Sequence, residues 1–217
     1  MKKVKGTDYS YADLLINNKQ WTNEKLKTEP EFFNRLKSLN KPKFFLIGCS
    51  DSTIHPNSLS GTLPGEIFIH RNIANIISLT DFNFLTGLSY AIDYLNVKHV
   101  IVMGHYGCQA LKVSMTNISL GILDMWIKNI KDVYRYNRIE LENYFDQDKK
   151  LDRLAELHVI EQVKNLAKCN IIQKSWKENN SPHLHGWIYS LDDGLIKELI
   201  TIKPNEVVDS NIYKYDV

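Results

Sequence analysis

The sequence predicts an α/β fold: a mostly parallel β-sheet flanked by helices and preceded by an N-terminal helical arm. Three observations carry that prediction. Phe44-Phe45-Leu46-Ile47-Gly48 and His99-Val100-Ile101-Val102-Met103-Gly104 are short apolar runs closed by glycine, the pattern of strands buried on both faces. Segments of helical period lie between such runs, which implies right-handed crossovers between parallel strands. Side chains with metal and acid–base chemistry directly follow both runs, where open α/β sheets build their sites.

Each element follows in order. Residues 8–40 read as two helices, one with Tyr11, Leu14, Leu15 and Ile16 on its apolar face and one with Phe32, Phe33 and Leu36. Pro30 suits the first turn of the second. A strand at 43–48 delivers Cys49 into a loop holding His55-Pro56-Asn57, and Ile67-Phe68-Ile69 forms a second strand leading to His70-Arg71-Asn72. Asp81 to Leu95 is helical, with Asp81 as N-cap, and feeds the strand at 99–103. Leu120 to Arg138 reads as one long amphipathic helix carrying Trp126. A charged turn (146–150) precedes a helix over about 151–168. A short strand near 170–173, a helix to Glu178 and a strand at 184–190 follow. The turn Asp192-Asp193-Gly194 returns the chain to an edge strand at 199–202. No repeat or linker interrupts this series, so the chain is expected to be one domain, 1–217, with an arm at about 8–40 and an α/β core at about 43–202.

Composition narrows the function classes. With 217 residues, 43% hydrophobic and 24% charged, the chain has the makeup of a globular domain. A net charge of +2 without blocks of like sign argues against nucleic acid and anionic membrane as partners. No apolar run reaches spanning length, and Met1-Lys2-Lys3-Val4-Lys5 leads into polar sequence rather than a signal-peptide core. The three cysteines are better used as ligands than as a disulfide, which suits a reducing cytoplasm. Cys169, in an apolar helical context, reads as a buried structural thiol.

The chemistry concentrates in Cys49-Ser50-Asp51 and His105-Tyr106-Gly107-Cys108. Two thiolates and one imidazole at tetrahedral count select zinc before other common metals. Three protein ligands leave a vertex for water, and zinc lowers that water's pKa from near 15.7 to about 7. Asp51 is placed to accept a hydrogen bond from this water or to take the fourth vertex itself. In the second case the site closes, and the purely structural reading is a zinc that staples two loops.

Four motifs, Gly-Cys-Ser-Asp-Ser (48–52), Leu-Pro-Gly-Glu-Ile-Phe (63–68), His-Arg-Asn-Ile-Ala-Asn (70–75) and Gly-His-Tyr-Gly-Cys (104–108), together resemble the β-class carbonic anhydrases. The resemblance runs from about Leu14 to Gly194 and looks nearest to bacterial members. It implies one Zn²⁺ per chain held by Cys49, His105 and Cys108 with Asp51 beside it. It also implies reversible hydration of carbon dioxide to bicarbonate, and a homodimer or tetramer in which the arm packs on a partner subunit. Phe68 and Tyr90 correspond to the region that lines the family's substrate pocket.

Three departures qualify what the resemblance implies. The family's arginine, two residues after the aspartate, pairs with it and holds it off the metal; here that position is Thr53. Asp51 is therefore expected to be a direct zinc ligand in the resting state, unless Arg71 or Gln109 supplies the missing donor. Gln109 stands where a glycine usually follows the second cysteine, and its amide either fills part of the substrate pocket or stays solvated. A bicarbonate-regulatory pocket of the family is built from a tryptophan, an arginine and a tyrosine, matched here by Leu46, Arg71 and Tyr189; with the tryptophan absent, Arg71 is expected to tie its loop to a carboxylate or carbonyl. His55, His70, His99, His158, His183 and His185 read as local loop or core residues. The alternatives to an active enzyme are a zinc-bearing homologue with a structural or interaction role, and a hydrolase of carbonyl sulfide or carbon disulfide on the same scaffold.

Overall fold

Five strands, β1 (Phe44–Cys49), β2 (Ile67–Asn72), β3 (His99–His105), β4 (His183–Tyr189) and β5 (Ile196–Ile202), form one sheet in the order β2-β1-β3-β4-β5 in the computed structural model. Residues 9–38, 41–204, 206 and 211–217 are described; Met1–Lys5, and the expected arm limits at residues 8 and 39–40, lie outside them. The first four strands are mutually parallel and β5 runs antiparallel at the edge. The chain leaves β1 to one side for β2, then crosses to its other side for β3. That reversal opens a crevice beyond the carboxyl ends of β1 and β3, where α/β folds bind ligands.

Alternation along the strands divides the core. Phe45, Ile47, Val100, Val102 and Leu184 pack on one face against Phe84, Leu88, Val159, Val163, Leu166 and Trp176. These come from α4 (Phe82–Ser89), α8 (Gln147–Ala167) and α9 (Asn170–Asn179). Leu46, Ile101, Met103 and Tyr189 point to the other face, with Phe44 and Trp187 only partly covered. Two glycines make room on the sheet for side chains of α8 and of the edge strand β5. A Cβ at Gly104 would stand 2.5 Å from Val159 Cγ2, and one at Gly186 2.7 Å from Ile200 Cγ2.

The element boundaries differ from expectation in specific ways. Residues 170–173 are the first turn of α9, not a strand: Ile172, Ser175 and Trp176 are buried at helical spacing, which outweighs the β-branched pair Ile171-Ile172. The charged segment 146–150 is no separate turn. Asp146 caps α8, its Oδ1 accepting from Asp148 N at 2.9 Å and Lys149 N at 3.2 Å. The helix expected over 120–138 is two, α6 (Leu123–Tyr136) and α7 (Arg138–Glu142). They part at Asn137, whose Nδ2 donates to Val133 O at 2.8 Å. Asp81 does cap α4, accepting from Asn83 N at 3.0 Å, and a π-helical turn (Tyr90–Tyr94) continues that helix. Two short helices were not foreseen: α3 (Pro56–Ser60) and α5 (Gln109–Ser114).

The arm is a compact unit of its own, within Met1–Asn40. A Ser10–Asp13 capping box starts α1 (Tyr11–Thr28), and α2 (Phe32–Ser38) begins two residues after Pro30. Trp21, Phe32 and Phe33 meet edge-to-face, with ring centroids 5.2–6.0 Å apart. No residue of α1 is buried, and Tyr11, Leu14, Leu15 and Ile16 are exposed.

Candidate metal centre

Cys49 ends β1, His105 ends β3, and Cys108, three residues beyond His105, is the N-cap of α5; all three are buried. Their ligand atoms lie within 4.8 Å of one another, with Cys49 Sγ 3.8 Å from Cys108 Sγ. His105 Nδ1 bonds to Tyr106 O at 3.1 Å, which leaves Nε2 facing the sulfurs as a buried nitrogen with no partner. Fixing one imidazole nitrogen on a carbonyl so that the other is presented is how proteins orient a metal-ligating histidine. Two sulfurs and one orphan imidazole nitrogen in an apolar shell of Ile76, Leu111 and Ile188 fit a soft-tolerant divalent cation, zinc first.

Electrostatics prepare the same set. The hydrogen bond from Cys108 pulls the Cys49 thiol well below its usual range, against the opposing effect of burial. Cys108 is pushed up by its neighbour's thiolate and by burial. Cys49 Sγ also accepts N–H bonds from Ala74 at 3.2 Å and Asp51 at 3.3 Å. One proton shared between two sulfurs is what a cation displaces on binding.

A second layer holds this loop, and residue types alone did not reveal it. Ala74 (φ 61°) and Asn75 (φ 45°) both adopt left-handed backbone, uncommon for non-glycine residues, and this turns the Ala74 N–H onto Cys49. Asn72 braces the turn, its Oδ1 accepting from Ile76 N and its Nδ2 donating to Ile76 O, each at 2.8 Å. Trp126 Nε1 donates to Ile73 O at 2.8 Å, His158 Nε2 bonds to Ala74 O at 2.8 Å, and Gln162 Oε1 accepts from Ile77 N at 2.8 Å. On the other ligand segment, Tyr106 OH donates to the largely buried Glu156 at 2.8 Å. Arg153 and Lys197 also bind that carboxylate, at 2.8 and 2.7 Å.

Full burial lowers the His158 pKa to about 4 from an unfolded value of 6.5. A histidine depressed in the fold favours the native state above the unfolded pKa, and that advantage is lost as pH falls. Metal-free protein should therefore lose up to roughly 3 kcal/mol between pH 6.5 and 4 from this residue. Urea unfolding at stepped pH checks this. His158→Gln, which keeps a donor for Ala74 O, should flatten the slope, and an unchanged slope would refute the assignment.

Asp51 is exposed at the mouth, its Oδ2 accepting the Gln109 backbone N–H at 3.0 Å. The Gln109 contact is thus made by its main chain. Thr53 is exposed two residues on. Arg71 Nη1 donates to Cys49 O and Ser52 O at 3.2 and 3.0 Å, and Nη2 to Ile54 O at 2.9 Å; it ties the loop to carbonyls, as expected. Tyr189 OH lies 2.6 Å from Ser52 Oγ on the same loop. Phe68 pairs with Phe45, four residues before Cys49 on β1, and meets the Tyr90 ring at a tilt of 46° with centroids 5.7 Å apart. Within one chain Phe68 therefore sits about 13 Å along the strand direction from Cys49.

Comparison with known proteins agrees with the geometry. A family model described as carbonic anhydrase matches residues 44–196. A carbonic anhydrase of Emericella nidulans is 40% identical over 202 residues, covering 93% of this chain and 89% of the relative. A Coccomyxa β-carbonic anhydrase solved with acetazolamide superposes with a TM-score of 0.83 at 32% identity, covering 89% of this chain and 88% of that one. One of two tetrameric β-carbonic anhydrases from the ascomycete Sordaria macrospora gives 0.83 at 32%, over 88% and 98%.

Proposed function

The chain belongs to the β-class carbonic anhydrases and hydrates carbon dioxide reversibly to bicarbonate and a proton, and we propose that Cys49, His105 and Cys108 do this work around one Zn²⁺ per chain. The observation that carries the metal assignment is the partnerless buried His105 Nε2 beside two sulfurs 3.8 Å apart. When bound, zinc supplies a water of pKa about 7 in place of 15.7, a shift established on carbonic anhydrases with three histidine ligands. Asp51 offers the carboxylate that accepts a hydrogen from the attacking water and turns its lone pair toward the substrate carbon. The Gln109 N–H holds that carboxylate when it stands off the metal. In the resting zinc enzyme we assign Asp51 to the fourth vertex, because only one neutral N–H competes for it and Thr53 brings no charge. Stopped-flow hydration on protein of verified zinc content tests the reading. Turnover well above the uncatalysed rate is expected, and none would leave a structural or interaction role.

The assembly is a homodimer or tetramer in which the arm packs on a second copy. The exposed apolar residues of α1 and the tetrameric Sordaria relative support this. Phe68 and Tyr90 then serve the pocket together with residues of the neighbouring subunit. We read Arg71 and Tyr189 as ties of the Cys49–Ile54 loop rather than a regulatory anion pocket, on their hydrogen bonds. Sedimentation at micromolar concentration should show no stable monomer, and a monomeric species would overturn the assembly. A cytoplasmic location suits three unpaired thiols, and among the described residues no helix is long and apolar enough to cross a membrane.

A further inference from the structure

Three imidazoles gather at the end of the sheet opposite the cysteine site. His99 opens β3, His183 opens β4 and His185 follows two residues later, so all three side chains project from the same face. Their ring centroids lie 5.2 Å (His99–His185), 5.5 Å (His99–His183) and 6.5 Å (His183–His185) apart. Tetrahedral ligation at a metal–nitrogen distance of about 2.0–2.1 Å sets ligand imidazole centroids roughly 5 Å apart. The first two spacings are close to that, and the third, to the partly buried His183, is about 1.5 Å wider.

The hydrogen bonds sharpen the case. His99 Nδ1 and His185 Nε2 are 3.0 Å apart, so one of these facing nitrogens carries a proton and the other a lone pair. His185 Nδ1 lies 3.0 Å from Thr201 Oγ1 and 3.3 Å from a carboxylate oxygen of Glu198, both on β5. A carboxylate on the far nitrogen is the outer partner that ligating histidines ordinarily have, and it keeps the Nε2 lone pair directed at His99. Burial and the two neighbouring imidazoles lower the His99 pKa, which favours the neutral form that a metal needs.

We propose that His99, His183 and His185, backed by Glu198, form a second binding site for a divalent transition cation of the zinc type, separate from the Cys49–His105–Cys108 centre. Imidazole ligands suit Zn²⁺, Ni²⁺ and Cu²⁺, and no thiolate is involved, so binding here is weaker and more readily reversed than at the cysteines.

Zinc counting by equilibrium dialysis of the full-length protein tests this. At tens of micromolar free Zn²⁺ the wild type should hold about two zinc ions per chain, falling to about one after extensive dialysis against metal-free buffer. His99→Asn and His185→Asn should each stay near one throughout, with hydration activity unchanged, and Glu198→Gln should need several-fold more free zinc to reach two. In Cys108→Ala the cluster's zinc should persist, at about one per chain under the same free zinc, which separates this site from the first. A wild type that never exceeds one zinc, or a His99→Asn/His185→Asn double variant that still reaches two, would overturn the proposal.

Discussion

Replacing Cys108 by alanine is expected to empty the catalytic metal centre and abolish hydration. The side chain is buried, it stands 3.8 Å from Cys49 Sγ, and its removal leaves one sulfur and one imidazole to hold the cation. Zinc bound by three or four soft ligands is held by apparent free energies of order 10 kcal/mol, and each ligand carries a large share. Without the metal, the attacking water returns to a pKa near 15.7, about nine units above its bound value. Elemental analysis after dialysis against metal-free buffer should fall from about one zinc per chain to less than roughly a tenth, with activity at background. Cys169→Ala is the matched control. Cys169 is just as buried, but it sits at the start of α9 among the helical core residues. That variant should keep its zinc and its activity. Retention of stoichiometric zinc by Cys108→Ala in metal-free buffer would remove the residue from the ligand set.

How far the sequence could be read depended on whether a feature is local. The strands carrying Cys49 and His105 announce themselves as apolar runs closed by glycine, and the ligands announce themselves by chemistry, since few residue types bind zinc. The four motifs then located the family. The boundary errors came from segments whose local preference was overridden by packing. Ile171-Ile172 looks like strand until Ser175 and Trp176 are seen to bury on the same helical face. The bracing of the Cys49 loop was illegible for a different reason. His158 reaches Ala74 across 84 residues and Gln162 reaches Ile77 across 85, contacts that no spacing rule anticipates. Ala74 itself is a plain alanine whose left-handed backbone only the fold reveals. The partner of Asp51 was hidden in the same way. Gln109 drew notice for its side chain, yet it is the backbone N–H, which every residue but proline carries, that meets the carboxylate.

Thr53→Arg is expected to raise hydration activity at neutral pH by about one to two decades. In the structure the Asp51 carboxylate has the Gln109 N–H at 3.0 Å, and the two residues after it, Ser52 and Thr53, bring no charge. One N–H to a charged acceptor contributes roughly 1.5–3 kcal/mol, less than the pull of a divalent cation in a partly buried site. On the assignment of Asp51 proposed above, the carboxylate would hold the bound zinc near neutrality and would have to give way to water for turnover. Deprotonated water competes better as pH rises, so wild-type activity should climb with pH instead of being flat. A guanidinium at residue 53 adds a charge-assisted, bidentate competitor for the same carboxylate, worth about another 1.5–3 kcal/mol, which is one to two decades in the fraction of open sites. Because Thr53 is exposed, the longer side chain enters without displacing core. The variant's pH profile should shift its rise toward lower pH, and its zinc content should be unchanged, which separates release of Asp51 from any change in metal loading. Thr53→Gln, long but uncharged, should give little of the gain. If Thr53→Arg leaves both rate and profile where they were, the Gln109 N–H alone already keeps Asp51 off the metal, and the wild-type site rests open.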